Sequence, residues 1–173
     1  ADAGIGAGLT PAMFWFAQKT NDPSLLWMEK MFMGNKKNKG YLKNRLLPAL
    51  MIWAADLSVD QIPAPKELTW TGQGVTPVSL MRTSWTDSDA LFLGIKGGTA
   101  SSNHAHMDAG SFIMEAHGVR WAMDFGMQNY ESLESKGVAL WGRAQDAQRW
   151  DVFRYNNLAH NTLTVDNSYH RVK

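Results

Sequence analysis

Ser111-Phe-Ile-Met-Glu-Ala116, then His117-Gly118, then Val119-Arg-Trp-Ala-Met-Asp124 is the stretch whose reading decides the fold. Two runs rich in aromatic and branched residues flank a dipeptide suited to a two-residue turn, which predicts a β-hairpin. Pairing outward from the turn sets Glu115 opposite Arg120, Ile113 opposite Ala122 and Ser111 opposite Asp124, all on one face. Phe112, Met114, Ala116, Val119, Trp121 and Met123 occupy the other, which reads as a core face. His117 is read as a turn residue.

Immediately upstream stands Asn103-His104-Ala105-His106-Met107-Asp108-Ala109-Gly110. In an extended backbone, residues two apart point to one side, so His104 and His106 can face a single site. Two histidines and a carboxylate suit a divalent ion such as zinc, with ligand atoms about 2.0–2.2 Å away. Asp124 falls on the more polar hairpin face, beside the strand entry that His106 leads into, where a shared carboxylate would have to lie. An isolated H-x-H also matches by accident, and its bland reading is a pair of polar loop residues.

A third segment, Arg154-Tyr-Asn-Asn-Leu-Ala-His160-Asn-Thr-Leu, completes a set of three motifs between Asn103 and Asp166. With Asn103-His-Ala-His-Met-Asp-Ala-Gly-Ser-Phe and His117-Gly-Val-Arg-Trp-Ala-Met-Asp124, it resembles the heparinase II/III-like family of polysaccharide lyases. The resemblance implies a structural zinc ion on His106, Asp124 and His160, with His104 directed at substrate and taking part in catalysis. It also implies an α+β fold: helices from the end of an (α/α) toroid (residues 1–65), then antiparallel strands of a partial β-sandwich (66–173). The expected protein is an internal piece of a longer lyase, periplasmic or secreted.

Composition is compatible with this and excludes other classes. The chain has 173 residues, 45% of them hydrophobic, enough for a core. Seventeen basic residues against sixteen acidic leave a net charge of +1, so no strong field draws it to nucleic acid or to a membrane. A polyanion would have to be held by local arginines and lysines. With no cysteine, disulfides and thiolate metal sites are excluded. No run of 18 apolar residues suggests a membrane span. Eight tryptophans suit sugar stacking, although a tryptophan in a core is commoner.

Residues 1–9 are Gly/Ala-rich and read as a frayed or cut end. Thr10-Pro11 opens a helix with threonine as N-cap, and Met13 to Ala17, apolar nearly all round, suggest burial among other helices. Asp22-Pro23 repeats the start signal and Gly34 stops it; Asn35 to Lys39 is a basic loop. Leu46 to Ala55 forms another apolar stretch with Pro48 in its first turn. After Ile62-Pro-Ala-Pro65 the period changes to short strands at Val75–Trp85, Ala90–Lys96, the hairpin and Asn161–Val165. Gly97-Gly98 begins a flexible loop, without the Gly-Lys-Ser/Thr of a phosphate loop. Residues 126–150 read as loop.

The activity implied by the resemblance is β-elimination at a uronic acid of a polymer such as heparan sulfate or alginate. It requires neutralising the C6 carboxylate, removing the C5 proton and protonating O4. His104 suits proton transfer or carboxylate contact, because an imidazole titrates near neutrality. Tyr130 is a candidate for the pocket wall or the core. Arg154 can pair with a carboxylate or sulfate, or form a structural contact. Asn103 is a candidate for substrate contact or for orienting its neighbour, as is Asn161. Two other classes stay open. His106-Met-Asp108 with His160 and Arg171 matches the facial triad and oxoglutarate arginine of iron(II) oxygenases, and a non-catalytic carbohydrate-binding module is the third reading. The carboxylate that sits with His106 and His160, Asp108 or Asp124, discriminates between them.

Overall fold

A computed structural model describes residues 8–35 and 40–172. The start of the Gly/Ala-rich terminus and most of the basic loop, residues 36–39, lie outside the described residues. The chain forms two compact units, divided between Lys66 and Glu67, and its class is α+β.

In the first unit, α1 (Pro11–Thr20), α2 (Trp27–Gly34) and α3 (Leu47–Trp53) are joined by short 3-10 turns. Thr10 is extended at the N-cap position of α1, but its side chain does not cap the helix; its hydroxyl and N–H face Glu29 instead. Asn21 ends α1 in the left-handed conformation. Asp22 accepts from the Ser24 N–H at 3.0 Å, and this cap starts a 3-10 turn, so α2 begins only at Trp27. Pro48 does lie in the first turn of α3. Phe14, Ala17, Leu26, Leu50 and Ile62 form the core, each large side chain contributing about 1.5–3 kcal/mol of burial. Trp15 and Phe16 are exposed, so α1 buries one face and not its whole circumference. Lys30 Nζ donates to the carbonyls of Asp60 and Ile62, fastening the end of this unit to α2.

The second unit is built on an antiparallel meander, β1 (Thr69–Gly72), β2 (Val78–Arg82), β3 (Phe92–Lys96), β4 (Phe112–Ala116) and β5 (Val119–Ala122), paired in that order. β1 was not foreseen in the sequence, and Val75–Trp85 contracts to β2. The expected strand at Asn161–Val165 does not form. The Asn161 side chain instead donates to the carbonyls of Phe112 and Met123, fixing this segment across the hairpin as a loop.

The hairpin closes at His117-Gly118, both at positive φ (53° and 69°), as a type I′ turn requires. Glu115 pairs with Arg120 as expected, but a bulge between Met114 and Glu115 sets Met114, not Ile113, opposite Ala122. One strand contributes an extra residue there, which shifts every pair beyond it. Nor is the supposed core face buried among the described residues: Val119, Trp121 and Met123 are about half exposed or more. The buried cluster of this unit is Ala100, Met107, Leu140, Trp150, Tyr155 and Val172. All six belong to segments between and after the strands, including the 126–150 region, which also holds the short helix α4 (Glu131–Glu134).

Candidate metal centre and the adjoining histidine

Two cross-links bring the histidine segment against the His160 segment, and a third ties it to β3. The Met107 N–H donates to the Tyr155 carbonyl at 2.8 Å, the Thr162 hydroxyl donates to the Ala109 carbonyl, and Lys96, at the end of β3, exchanges backbone bonds with Gly110 and Ser111. Lys96 Nζ also meets the Asp108 carboxylate at 2.5 Å. His106, wholly buried, then lies with its ring 4.7 Å from Tyr155 and 5.4 Å from His160. Ligand atoms of His106, Asp108 and His160 lie within 4.8 Å of one another, and all three residues are buried.

Asp124 enters from the end of the hairpin. Its Oδ1 accepts from the Gly126 N–H at 2.7 Å and its Oδ2 lies 2.5 Å from His160 Nδ1. Burial pushes its carboxyl upward, but the hydrogen bonds from His160 and Gly126 outweigh that and hold it down at about 2. Asp108 is likewise lowered, burial being outweighed by Lys96. Both carboxylates are therefore ionised at neutral pH. The other nitrogen of His160, Nε2, is buried and has no hydrogen-bond partner. Burying a polar atom unpaired costs about 1–3 kcal/mol, so an orphan here fits a site that receives an ion. Two imidazoles and ionised carboxylates are the donor set zinc takes.

His104 lies apart from this group. Its φ of 56° puts it in a left-handed turn, so the extended alternation expected for His104 and His106 fails and the rings diverge. His106 turns inward; His104 is exposed, its Nδ1 2.9 Å from the Tyr130 hydroxyl and its ring 5.8 Å from Trp141. Asn103 accepts from Arg143 Nη2 at 2.9 Å. Arg154 Nη1 donates to the carbonyls of Phe125 and Met127, holding the turn that follows Asp124. Buried Arg149 donates to the carbonyls of Leu140 and Ala105 and lies over the Tyr155 ring at 4.3 Å, supporting the histidine segment from below.

The sequence offers Asp108 as a ligand only in the facial-triad alternative, and it gives no role to Lys96, Trp141, Arg149 or Tyr155. Tyr155 sits inside one of the quoted motifs, which was a usable signal. The other three are brought in by tertiary contacts that no local pattern encodes.

A buried histidine–carboxylate group that could hold an ion lies beside the exposed His104 and its half-buried partner Tyr130, all carried on the loops of an antiparallel β unit. The heparinase II/III-like C-terminal domain matches residues 81–172, and the chain belongs to this family of polysaccharide lyases. No curated protein matches it. Family membership removes the ground for the oxygenase alternative, even though Asp108 does join His106 and His160. No described helix is long and apolar enough to cross a membrane.

Proposed function

We propose that the chain is part of a polysaccharide lyase that cleaves uronic-acid polymers of the heparan sulfate or alginate type by β-elimination, acting outside the cytoplasm. Residues 1–65 are then the last helices of an (α/α) toroid and 66–173 the first strands of a β-sandwich. The observation that carries this reading is the exposed His104, bonded to Tyr130, two residues from the buried His106 in a chain of this family.

In the proposed step the C5 proton leaves to a base, the electron pair forms the C4–C5 double bond, and the C4–O4 bond breaks with a proton delivered to O4. His104 and Tyr130 share a hydrogen bond, so one can accept a proton while the other stabilises the arrangement. Asn103, whose Oδ1 accepts from Arg143, offers its amide N–H to the substrate carboxylate in this reading. Arg154, the other proposed substrate contact, commits Nη1 to backbone and has its remaining donors for a ligand.

The metal is structural zinc on His106, Asp124 and His160. His160 Nδ1 is held by Asp124 Oδ2 at 2.5 Å, closer than the roughly 3.4 Å between two tetrahedral ligands of one zinc ion. This contact would therefore open as the ion enters, and His160 would ligate through its orphaned Nε2. Asp108 is within reach, but Lys96 already neutralises it, which favours Asp124. When bound, the ion would supply folding free energy and fix the loop that carries His104.

The test is formation of the unsaturated uronate product, followed by its ultraviolet absorbance, in the longest form of the protein that can be expressed. His104→Ala should abolish it with zinc content unchanged. Full activity in that variant removes His104 from the mechanism. Sugar binding without any product, even in the parent protein, would favour the non-catalytic carbohydrate-binding module.

A further inference from the structure

An open groove of about 890 Å³ is lined by Ser101, Arg143, Ala144, Gln145, Arg171 and Val172. Among the described residues no carboxylate lines it, and Arg171 is exposed and takes part in no ion pair. Gln145 is already spent on structure: its Oε1 accepts from the Val172 N–H and its Nε2 donates to the His170 carbonyl. These two bonds hold His170 and Val172 against Gln145, and Arg143 and Arg171 line the same groove. A protein of net charge +1 has no general surplus of cations to scatter; two in one groove without a counter-acid is a local concentration.

The groove adjoins the proposed catalytic loop. Arg143 also lines the small pocket formed with Asn103, His104 and Trp141, and it donates to Asn103. Ser101 faces the groove and Ser102 the pocket, so the two share one stretch of loop. A linear acidic polymer with one sugar at His104 would lay its neighbour along this groove.

We propose that Arg143 and Arg171 form a subsite for the acidic group, carboxylate or sulfate, of a sugar neighbouring the one at His104. The inference rests on the lyase reading for the placement of the polymer. Its chemistry is the planar guanidinium fork, which matches both anions in a bidentate fashion. Arg171 is the specificity-determining member, since Arg143 also positions Asn103.

The test is calorimetric titration of the 173-residue protein with three tetrasaccharides: heparin-derived and sulfated, oligomannuronate, and neutral cello-oligosaccharide. Both acidic probes should bind and the neutral one should not. Arg171→Ala should weaken acidic binding by about tenfold or more, the value of one charge-assisted contact, with melting temperature unchanged. Arg171→Lys should recover part of it. A greater loss for the sulfated probe identifies sulfate as the ligand; a greater loss for the mannuronate identifies carboxylate. Equal affinity of the parent and Arg171→Ala for both acidic probes, or no binding of them by the parent, overturns the subsite. Failure of the lyase reading is separate, because it appears as absent unsaturated product while Arg171-dependent binding persists.

Discussion

Replacing Asp124 with Asn keeps the shape of the side chain and its acceptor for the Gly126 N–H, and removes the charge. The drop in its folded pKa from an ordinary 3.8 to about 2 measures how much better the charged form is held in the folded protein, about 2 kcal/mol. Because the folded value lies below the unfolded one, this stabilisation is fully present above about pH 4 and is lost as pH falls through about 2. For a unit of roughly a hundred residues, 2 kcal/mol corresponds to about 10 °C in melting temperature. The assay is thermal unfolding in excess chelator, which keeps metal out of the comparison, at steps from pH 7 to pH 2. Asp124→Asn should melt about 10 °C below the parent at pH 7, with the gap narrowing below pH 4 and nearly closing at pH 2. A gap of constant size across that range would show that the loss is one of packing and not of charge, and would refute the electrostatic account of the His160–Asp124 contact.

His106→Ala should reduce zinc from about one equivalent to none in protein prepared without chelator and lower the melting temperature along with it; retained zinc would move the site elsewhere. Asp108→Asn should retain zinc where Asp124→Asn loses it, and the opposite pattern would make Asp108 the ligand. Lys96→Met removes the ammonium that meets the buried Asp108 carboxylate at 2.5 Å, and urea denaturation should show a loss of about 1.5–3 kcal/mol, the worth of one hydrogen bond to a charged group. Adding Asp108→Asn to Lys96→Met should restore much of that loss, and a double variant no better than the single one would mean that Lys96 matters for its packing alone. Tyr130→Phe deletes the hydroxyl bonded to His104, and should lower product formation at least tenfold while the melting temperature stays within a few degrees.

The hairpin, the change from helix to strand and the three-motif set were legible because each is written in local chemistry: a turn dipeptide, a hydrophobic period, a fixed spacing. Glu115 opposite Arg120 followed from the turn alone. Ile113 opposite Ala122 did not survive, since a bulge depends on how β4 fits β3, and Gly94 facing Ile113 is invisible from the hairpin. The core face was misjudged because alternation says which residues share a side and not whether a second layer covers that side. His104 and His106 stand two apart in a motif visible in the sequence, but their divergence comes from a single left-handed residue, and a half-buried Tyr130 waiting 26 positions downstream leaves no trace in the local pattern. The pairing of Asp108 with Lys96 was not legible, because Lys96 ends β3 and meets Asp108 only through the tertiary fold.

The buried cluster of the second unit reverses the usual distribution of rigidity in a β protein. Met107, Leu140, Trp150 and Tyr155 are nearly inaccessible and belong to no strand, while the edge strand β5 is largely exposed. Amide exchange with deuterated solvent follows the free energy of local opening. The Met107 and Tyr155 amides, bonded to the Tyr155 and Val152 carbonyls, should therefore outlast those of β5. The irregular segments that carry the candidate ligands would be the last part of the unit to open, and the hairpin ribbon beside them the first.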